Sequence, residues 1–183
     1  MERAAELFAE RGVAGTSLDD VLAAAGAGKS QLYHYFSGRE ELEEAAVGRR
    51  CTQVLAGLTQ ALGGVASLAG LEQALAGFVA GFEQMGLPGC PIGSLAAEVA
   101  ERNEGARMQA AAAFDAWEQL FADALERMRQ RGELRADASP AMLATALLAS
   151  IEGGMALSQT RKDPASLHIA VEAGLAQVRT YLS

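Results

Sequence analysis

The stretch that most constrains this chain is Thr16 to Phe36, TSLDDVLAAAGAGKSQLYHYF. It holds two short helical patterns with a glycine turn between them. Leu18, Val21, Leu22 and Ala25 recur at i, i+3, i+4 and i+7, which is one apolar stripe at the helical period. Thr16 and Ser17 precede the stripe, and Asp20 sits three residues after Ser17. A short hydroxyl there accepts from the orphan amides, and a carboxylate sits where the helix dipole favours negative charge. Gly26 follows the last apolar residue and can take the left-handed conformation that ends a helix. Gly26-Ala27-Gly28 then separates this helix from Lys29–Tyr35. Two helices joined by a short glycine turn make a helix-turn-helix, whose second helix enters the DNA major groove. On spacing alone, an ordinary helical hairpin with a solvated face fits equally well.

The second helix suits a reading role. Leu32 and Phe36 are four apart and face inward. Lys29, Ser30, Gln31, Tyr33, His34 and Tyr35 are left for other faces, and each carries a hydrogen-bonding group. Lys29, Ser30 and Gln31 lie at the N-terminal end, the part of such a helix that approaches base edges. Gln can read adenine with two bonds, Lys can reach guanine or phosphate, and Ser is permissive.

The run from Ala4 to Leu42, AAELFAERGVAGTSLDDVLAAAGAGKSQLYHYFSGREEL, resembles the N-terminal domain of TetR-type bacterial transcriptional regulators. The motifs that carry the resemblance are ELFAERG, TSLDDV, AAG, K-x-x-LYHYF and a charged EEL. By position, the resemblance implies that Thr16, Ser17, Tyr33, Tyr35 and Arg39 contact phosphates. It implies that Lys29, Ser30 and Gln31 read bases, with His34 beside them. The chain departs from the family pattern at three positions. Leu22 stands where alanine is usual and Ala27 where valine is usual, and the two are expected to compensate in volume under the turn. Gly28 replaces the usual serine at the start of the second helix, a change worth only a few tenths of a kcal/mol.

Composition supports an all-α fold. Alanine runs are frequent, β-branched residues are scarce, and half of the 183 residues are apolar. No run of 18 apolar residues lacks a polar break, so no membrane span is expected, and nothing marks the start as a secretion signal. Two cysteines, Cys51 and Cys90, do not make a disulfide framework, and a cytoplasmic setting is expected. The net charge of −8 opposes nucleic acid: residues 1–50 carry six Lys/Arg against nine Asp/Glu. Non-specific affinity should therefore be poor, because phosphate neutralisation supplies most of it. Specific binding requires the few cations to cluster on one face, and Lys29 and Arg39 are placed to do so.

The expected organisation is a three-helix reading domain over 1–45, with its motif at about 17–36, and a helical effector-binding and dimerisation domain over 46–183. Glu2 to Arg11 reads as an amphipathic first helix, with Ala4, Ala5, Leu7 and Phe8 inward. It is short for the family and lacks the usual basic arm, so either the natural start lies upstream or the chain has been trimmed. Ser37-x-x-Glu40 opens a long helix through Leu62. Ser67 restarts the pattern, and Leu68, Leu71, Leu75, Phe78, Val79, Phe82 and Met85 form its stripe. The loop GLPGCPIG follows. The remaining helices are Ile92 to Arg102, a long one capped by Asn103 and stopped by Gly132, Met142 to Thr160 after Ser139-Pro140, and one opened by Pro164. The GCP-I segment before an alanine-rich helix is similar to the LmrA/YxaF-like branch of the family. The family pattern implies that the last two helices form a four-helix interface in a homodimer, while the alternative is that their apolar stripe completes a single core. Gly153-Gly154 in mid-helix costs roughly 2 kcal/mol against alanine, so close approach of another helix is expected there.

Catalytic chemistry is not nominated. His34 and His168 lie far apart with no ligand at metal spacing, and there is no phosphate loop or dinucleotide fingerprint. Neither a cofactor nor a metal is expected, and the chain does not read as an enzyme. Cys90, in its glycine-proline loop, could be a redox or electrophile sensor, although an inert thiol fits as well, and the same holds for Cys51 after Arg49-Arg50. Phe78, Phe82, Met85, Phe114, Trp117, Phe121 and Met155 form a Met-aromatic set that is either plain core or the wall of a ligand cavity. The sequence reading is thus a DNA-binding repressor released from a palindromic operator on double-stranded DNA by a small hydrophobic effector. The alternative is an all-helical small-molecule-binding protein without DNA binding.

Overall fold

A computed structural model describes residues 6–8, 12–13, 15–99 and 101–183. Every extended regular element among the described residues is a helix, with one isolated antiparallel bridge between Leu134 and Leu182. The helices are α1 (Leu18–Ala25), α2 (Lys29–Tyr35), α3 (Arg39–Leu62), α4 (Leu68–Gln84), α5 (Pro91–Val99), α6 (Glu104–Gln130), α7 (Pro140–Arg161) and α8 (Ala165–Arg179). Residues 6–8 are also helical, and the rest of the expected Glu2–Arg11 helix lies outside the described residues. The chain forms two compact units: Met1–Val54 with Pro91–Phe114, and Leu55–Cys90 with Asp115–Ser183.

The first unit is built around the helix-turn-helix. Ser17 caps α1 as the spacing predicts: its side chain accepts from the Asp20 amide, and the Asp20 carboxylate accepts from the Ser17 amide. Gly26 stands at φ 61°, the left-handed conformation that closes α1. Ala27 N–H donates to the Leu22 carbonyl at 3.0 Å, so the turn is tied back onto the helix it ends. Val21 and Leu22 of α1, Leu32 of α2 and Leu42, Ala46 and Val47 of α3 are buried together with Leu7, Phe8 and Val13. The start of α3 differs from expectation. The helix begins at Arg39, and Glu41 rather than Glu40 reaches back to accept from the Ser37 amide at 2.7 Å. That bond holds the Glu41 carboxyl below its ordinary range.

Residues 91–114 belong to this unit because both backbone and side chains lock there. Ile92, Leu95 and Val99 of α5 are buried. Asn103 caps α6 by accepting from the Ala106 amide at 2.9 Å. A Cβ at Gly105 would run into the carboxyl group of Glu44, the far end of a flexible side chain, so a larger residue there would have to displace it.

The second unit is a helical bundle. Trp117, Phe121, Leu125 and Met128 repeat along α6 at 4, 4 and 3 residues, and all are at most 2% exposed. Each contributes on the order of 1.5–3 kcal/mol by leaving water. The Arg127 guanidinium donates to the Val65 and Leu62 carbonyls at 2.8 and 3.3 Å and so satisfies the end of α3. Ser67 caps α4, and Ser139 caps α7 with Pro140 in its first turn. The Gly153-Gly154 pair has the expected offset at one of its two positions. A Cβ on Gly154 would sit 2.8 Å from Ala170 Cβ and 3.0 Å from Leu167 Cα, so α8 packs on the bare backbone there. Nothing lies near the corresponding point on Gly153. Helix α7 is long and apolar enough by composition to cross a bilayer. Here its Leu143, Leu147, Ile151 and Met155 are buried within their own unit instead.

Candidate nucleic-acid interface

Helix α2 is short, and Leu32 is its one buried residue. With Phe36 half-buried behind it, this anchor turns every other side chain outward. Lys29, Ser30, Gln31, Tyr33, His34 and Tyr35 are all exposed. Tyr33 is 57% exposed and Tyr35 67%, an unusual outlay of aromatic surface for a group with no partner to meet. The His34 and Tyr35 rings meet edge to face at 5.0 Å, which stiffens the C-terminal end. Lys29 Nζ lies 3.3 Å from Asp19 Oδ1 across the turn, with both side chains mostly in solvent. Such an exposed pair contributes little and leaves the ammonium free to exchange its partner for a base or a phosphate.

Two of the residues expected to contact phosphate do other work in the free chain. Thr16 is 1% exposed, and its hydroxyl donates inward to the Gly12 carbonyl at 2.8 Å. Arg39 donates from Nε to Glu43 Oε1 at 2.7 Å and from Nη2 to the Val13 carbonyl at 2.8 Å. Ser17 is exposed but is engaged by Asp20 through its hydroxyl and its amide. Of the side chains expected to meet DNA, the exposed ones are therefore concentrated on α2.

Sequence reasoning missed what holds this face in place. Glu43 reads as one more acid on a solvated helix face, yet it is 2% exposed. It accepts from Arg39 at 2.7 Å, from Asn103 Nδ2 at 3.4 Å and from Arg102 Nη1 at 3.5 Å. Asn103 also donates to the Glu40 carbonyl at 3.1 Å. Beside this cluster, Glu98 of α5 accepts from the Val13 amide at 2.6 Å. The segment before α1 and the start of α3 are thus both held by side chains some 60 to 85 residues further along the chain. The only sequence signal was the fixed distance between Arg39 and Glu43, which are one helical turn apart.

Comparison with known proteins places these helices in a family of transcriptional regulators. The family model for the N-terminal domain of bacterial regulatory proteins of the tetR family matches residues 1–46. That for the C-terminal domain of LmrA/YxaF-like transcriptional regulators matches residues 67–173, more than half of the chain. The chain belongs to the TetR family. It is a DNA-binding transcriptional regulator, not an enzyme.

Among the relatives of this TetR-family chain is an HTH-type transcriptional regulator of Mycobacterium tuberculosis, 33% identical over 87% of this chain and 82% of the relative. The regulator YxaF of Bacillus subtilis is 29% identical over 94% and 89%. The transcriptional repressor DhaR of a Mycobacterium species is 27% identical over 85% and 78%. Among solved structures, the regulatory protein TetR of Rhodobacter sphaeroides superposes with a TM-score of 0.79 at 26% identity, covering 99% of this chain and 96% of that one. A TetR-family regulator of Cytophaga hutchinsonii superposes at 0.84 with 21% identity, over 99% and 92%, which shows the fold.

In this regulator's second unit, the expected ligand set divides. Phe78, Trp117 and Phe121 line one small cavity of about 20 Å³ with Leu58, Leu75 and Ile151. Phe82 and Met155 are buried but do not line it. Met85 is 69% exposed, because α4 ends at Gln84 and Met85 is its outward-turned cap, and Phe114 falls in the other compact unit. Among the described residues no group of three or more His, Cys, Asp or Glu could hold a metal. Both cysteines are free and buried. Burial raises the Cys51 thiol pKa, and the neighbouring Arg50 charge offsets this only in part. Cys90 bonds the Glu152 carboxyl, whose own pKa is raised by burial.

Proposed function

We propose that this regulator is a homodimeric repressor whose two α2 helices read a palindromic operator. On this reading, the dimer leaves the DNA when a small hydrophobic effector binds the second unit. The observation that carries the reading is the composition of α2: six exposed side chains able to hydrogen-bond, around one buried anchor. Lys29, Ser30 and Gln31 take the base edges, while Tyr33, Tyr35 and the Ser17 end of α1 meet the backbone. Thr16 and Arg39 support the face from within, and the Arg39 N–H groups not bound to Glu43 or Val13 remain for phosphate. Half-sites should lie about 34 Å apart, one turn of duplex, or a multiple of that.

The dimer reading is supported by what α7 and α8 leave uncovered. Met142 is 51% exposed, Leu157 47% and Ile169 70%. On α7 the exposed Thr145, Ala149, Gly153 and Ala156 form a row of small residues at helical spacing, a surface on which a second helix packs closely. Effector release needs only a modest preference of the ligand for the conformation that misfits the groove. A coupling of about 1–3 kcal/mol lowers operator affinity roughly 5- to 150-fold.

The test is fluorescence anisotropy with the DNA flanking the chain's own gene, against scrambled DNA, at two salt concentrations. Selective binding is expected, with Lys29→Ala and Tyr33→Ala each weakening it by about tenfold or more. Because the protein carries a net charge of −8, scrambled DNA should bind weakly even at low salt. Equal binding to both DNAs, unchanged by either substitution, would refute the reading.

A further inference from the structure

We propose that the effector is an uncharged, mostly apolar molecule with a hydrogen-bond acceptor, and that the indole N–H of Trp117 is its anchor. The proposal rests on the effector-responsive reading above and specifies the chemistry of that site. Trp117 is 2% exposed, and its Nε1 has no hydrogen-bond partner among the described residues. Buried donors are almost always satisfied, and an orphaned one marks either strain or a missing ligand. This donor belongs to a side chain that lines a cavity, with the Phe78 ring 5.9 Å away and the Phe121 ring 6.4 Å away.

The cavity selects the ligand's character. Its other walls are aliphatic, including Leu58, Leu75 and Ile151, and no charged residue lines it. A charged ligand would be stripped of water with no countercharge to meet. Water is a poor occupant, since a buried water requires two to four polar partners and every other side chain in the lining is apolar. A ketone, ester or ether oxygen requires only one donor and brings apolar bulk for the remaining walls. At about 20 Å³ the cavity is too small for an organic molecule, so a ligand must displace a wall. Phe78 is the wall to move: it is half-buried, whereas Leu58, Leu75, Trp117, Phe121 and Ile151 are all buried.

The chain holds a single tryptophan, so the indole ¹H–¹⁵N signal of a labelled sample reports this one group. The probes are cyclohexanone, methylenecyclohexane, which has the same ring shape without the oxygen, and cyclohexanecarboxylate. Binding is measured by calorimetry on the wild type, Trp117→Phe and Phe78→Ala, with operator anisotropy run alongside. Cyclohexanone should shift the indole signal downfield and bind about tenfold more tightly than methylenecyclohexane, and the carboxylate should not bind. Trp117→Phe should keep the hydrocarbon affinity and lose the ketone preference. Phe78→Ala should admit both neutral probes more readily with the preference intact, and a preference seen there alone still assigns the anchor. Equal affinities for the two neutral probes in both wild type and Phe78→Ala overturn the proposal, as does a ketone preference that survives Trp117→Phe. Failure of the ketone preference with operator binding intact refutes this inference alone, whereas failure of operator binding refutes the repressor reading.

Discussion

Glu43→Ala should loosen the reading unit more than any surface substitution, and the structure sets how much. Glu43 is 2% exposed and accepts from Arg39, Asn103 and Arg102 at 2.7, 3.4 and 3.5 Å. Removing one partner of a fully buried ion pair costs about 3–5 kcal/mol, because the other charge is left dry. Here the Arg39 side chain is 39% exposed and that of Arg102 40%, so water can take over part of what the carboxylate gave. A loss of about 1.5–3 kcal/mol is therefore expected. On a chain of this size that lowers the melting temperature by roughly 3–12 °C. Glu43→Gln keeps an oxygen for Arg39 but sets an amide N–H₂ against the donor of Asn103, so it should fall between wild type and alanine. The assay is equilibrium urea unfolding followed by operator anisotropy well below the transition. Because Glu43 is buried, the loss should persist at about 1 M salt, where an exposed pair such as Glu104–Arg107 contributes nothing. A Glu43→Ala protein within about 0.5 kcal/mol of wild type would refute the argument that this cluster holds the face.

The remaining predictions probe packing and protonation. Gly154→Ala gains about 1 kcal/mol of helix propensity but drives its Cβ to 2.8 Å from Ala170 Cβ and 3.0 Å from Leu167 Cα. Overpacking costs about 1–3 kcal/mol, so the melting temperature should fall, and a rise would show that α8 gives way freely. Burial raises the Glu152 pKa, so the folded chain holds that proton more tightly than the unfolded one. Stability from this group therefore falls as pH rises through its folded value, and the advantage of Glu152→Gln over wild type should widen between about pH 4.5 and pH 8 in urea unfolding. A constant or narrowing gap contradicts the assignment. Leu22 and Ala27 line one cleft of about 250 Å³ with Leu32, Phe36 and Leu42. Leu22→Ala should cost about 2–5 kcal/mol, and adding Ala27→Val should restore part of it in thermal melts, whereas no restoration would sever the two positions.

What the sequence made legible was what local rules control. Ser17 with Asp20, Gly26, Ser67, Asn103, Ser139-Pro140 and Gly132 each appear where capping chemistry and left-handed glycine place them. The outward set on α2 followed from Leu32 alone, because a two-turn helix with one buried residue has little freedom left. Long-range pairing was not legible. Apart from its spacing from Arg39, nothing in the local pattern of Glu43 distinguishes it from Glu40 or Glu41, and its further partners Arg102 and Asn103 lie some 60 residues away. Thr16 and Arg39 show the same limit, since their inward bonds to Gly12 and Val13 depend on how the chain before α1 returns. The aromatic set was half legible: periodicity found the stripe of α6, but it could not say that Met85 lies just past the end of α4 and turns outward.

The acidic balance of the chain, which argued against nucleic acid, is eased around α2 by where several of the acids go. Glu43 is consumed by Arg39 and Arg102, Glu98 by the Val13 amide, and Glu41 and Asp20 by the amides of Ser37 and Ser17. These four carboxylates cap backbone or neutralise arginine, and α2 itself contains no acid. Asp19, next to α2, is instead paired with Lys29 at 3.3 Å in solvent. That pair makes the operator compete with an internal partner for the one lysine on the reading helix. Removing the competitor with Asp19→Asn should therefore strengthen binding to the operator more than to scrambled DNA, because the released Lys29 reaches a base edge, while the lost negative charge adds a smaller sequence-independent gain that is greatest at low salt. An equal gain on both DNAs would instead place Lys29 on a phosphate.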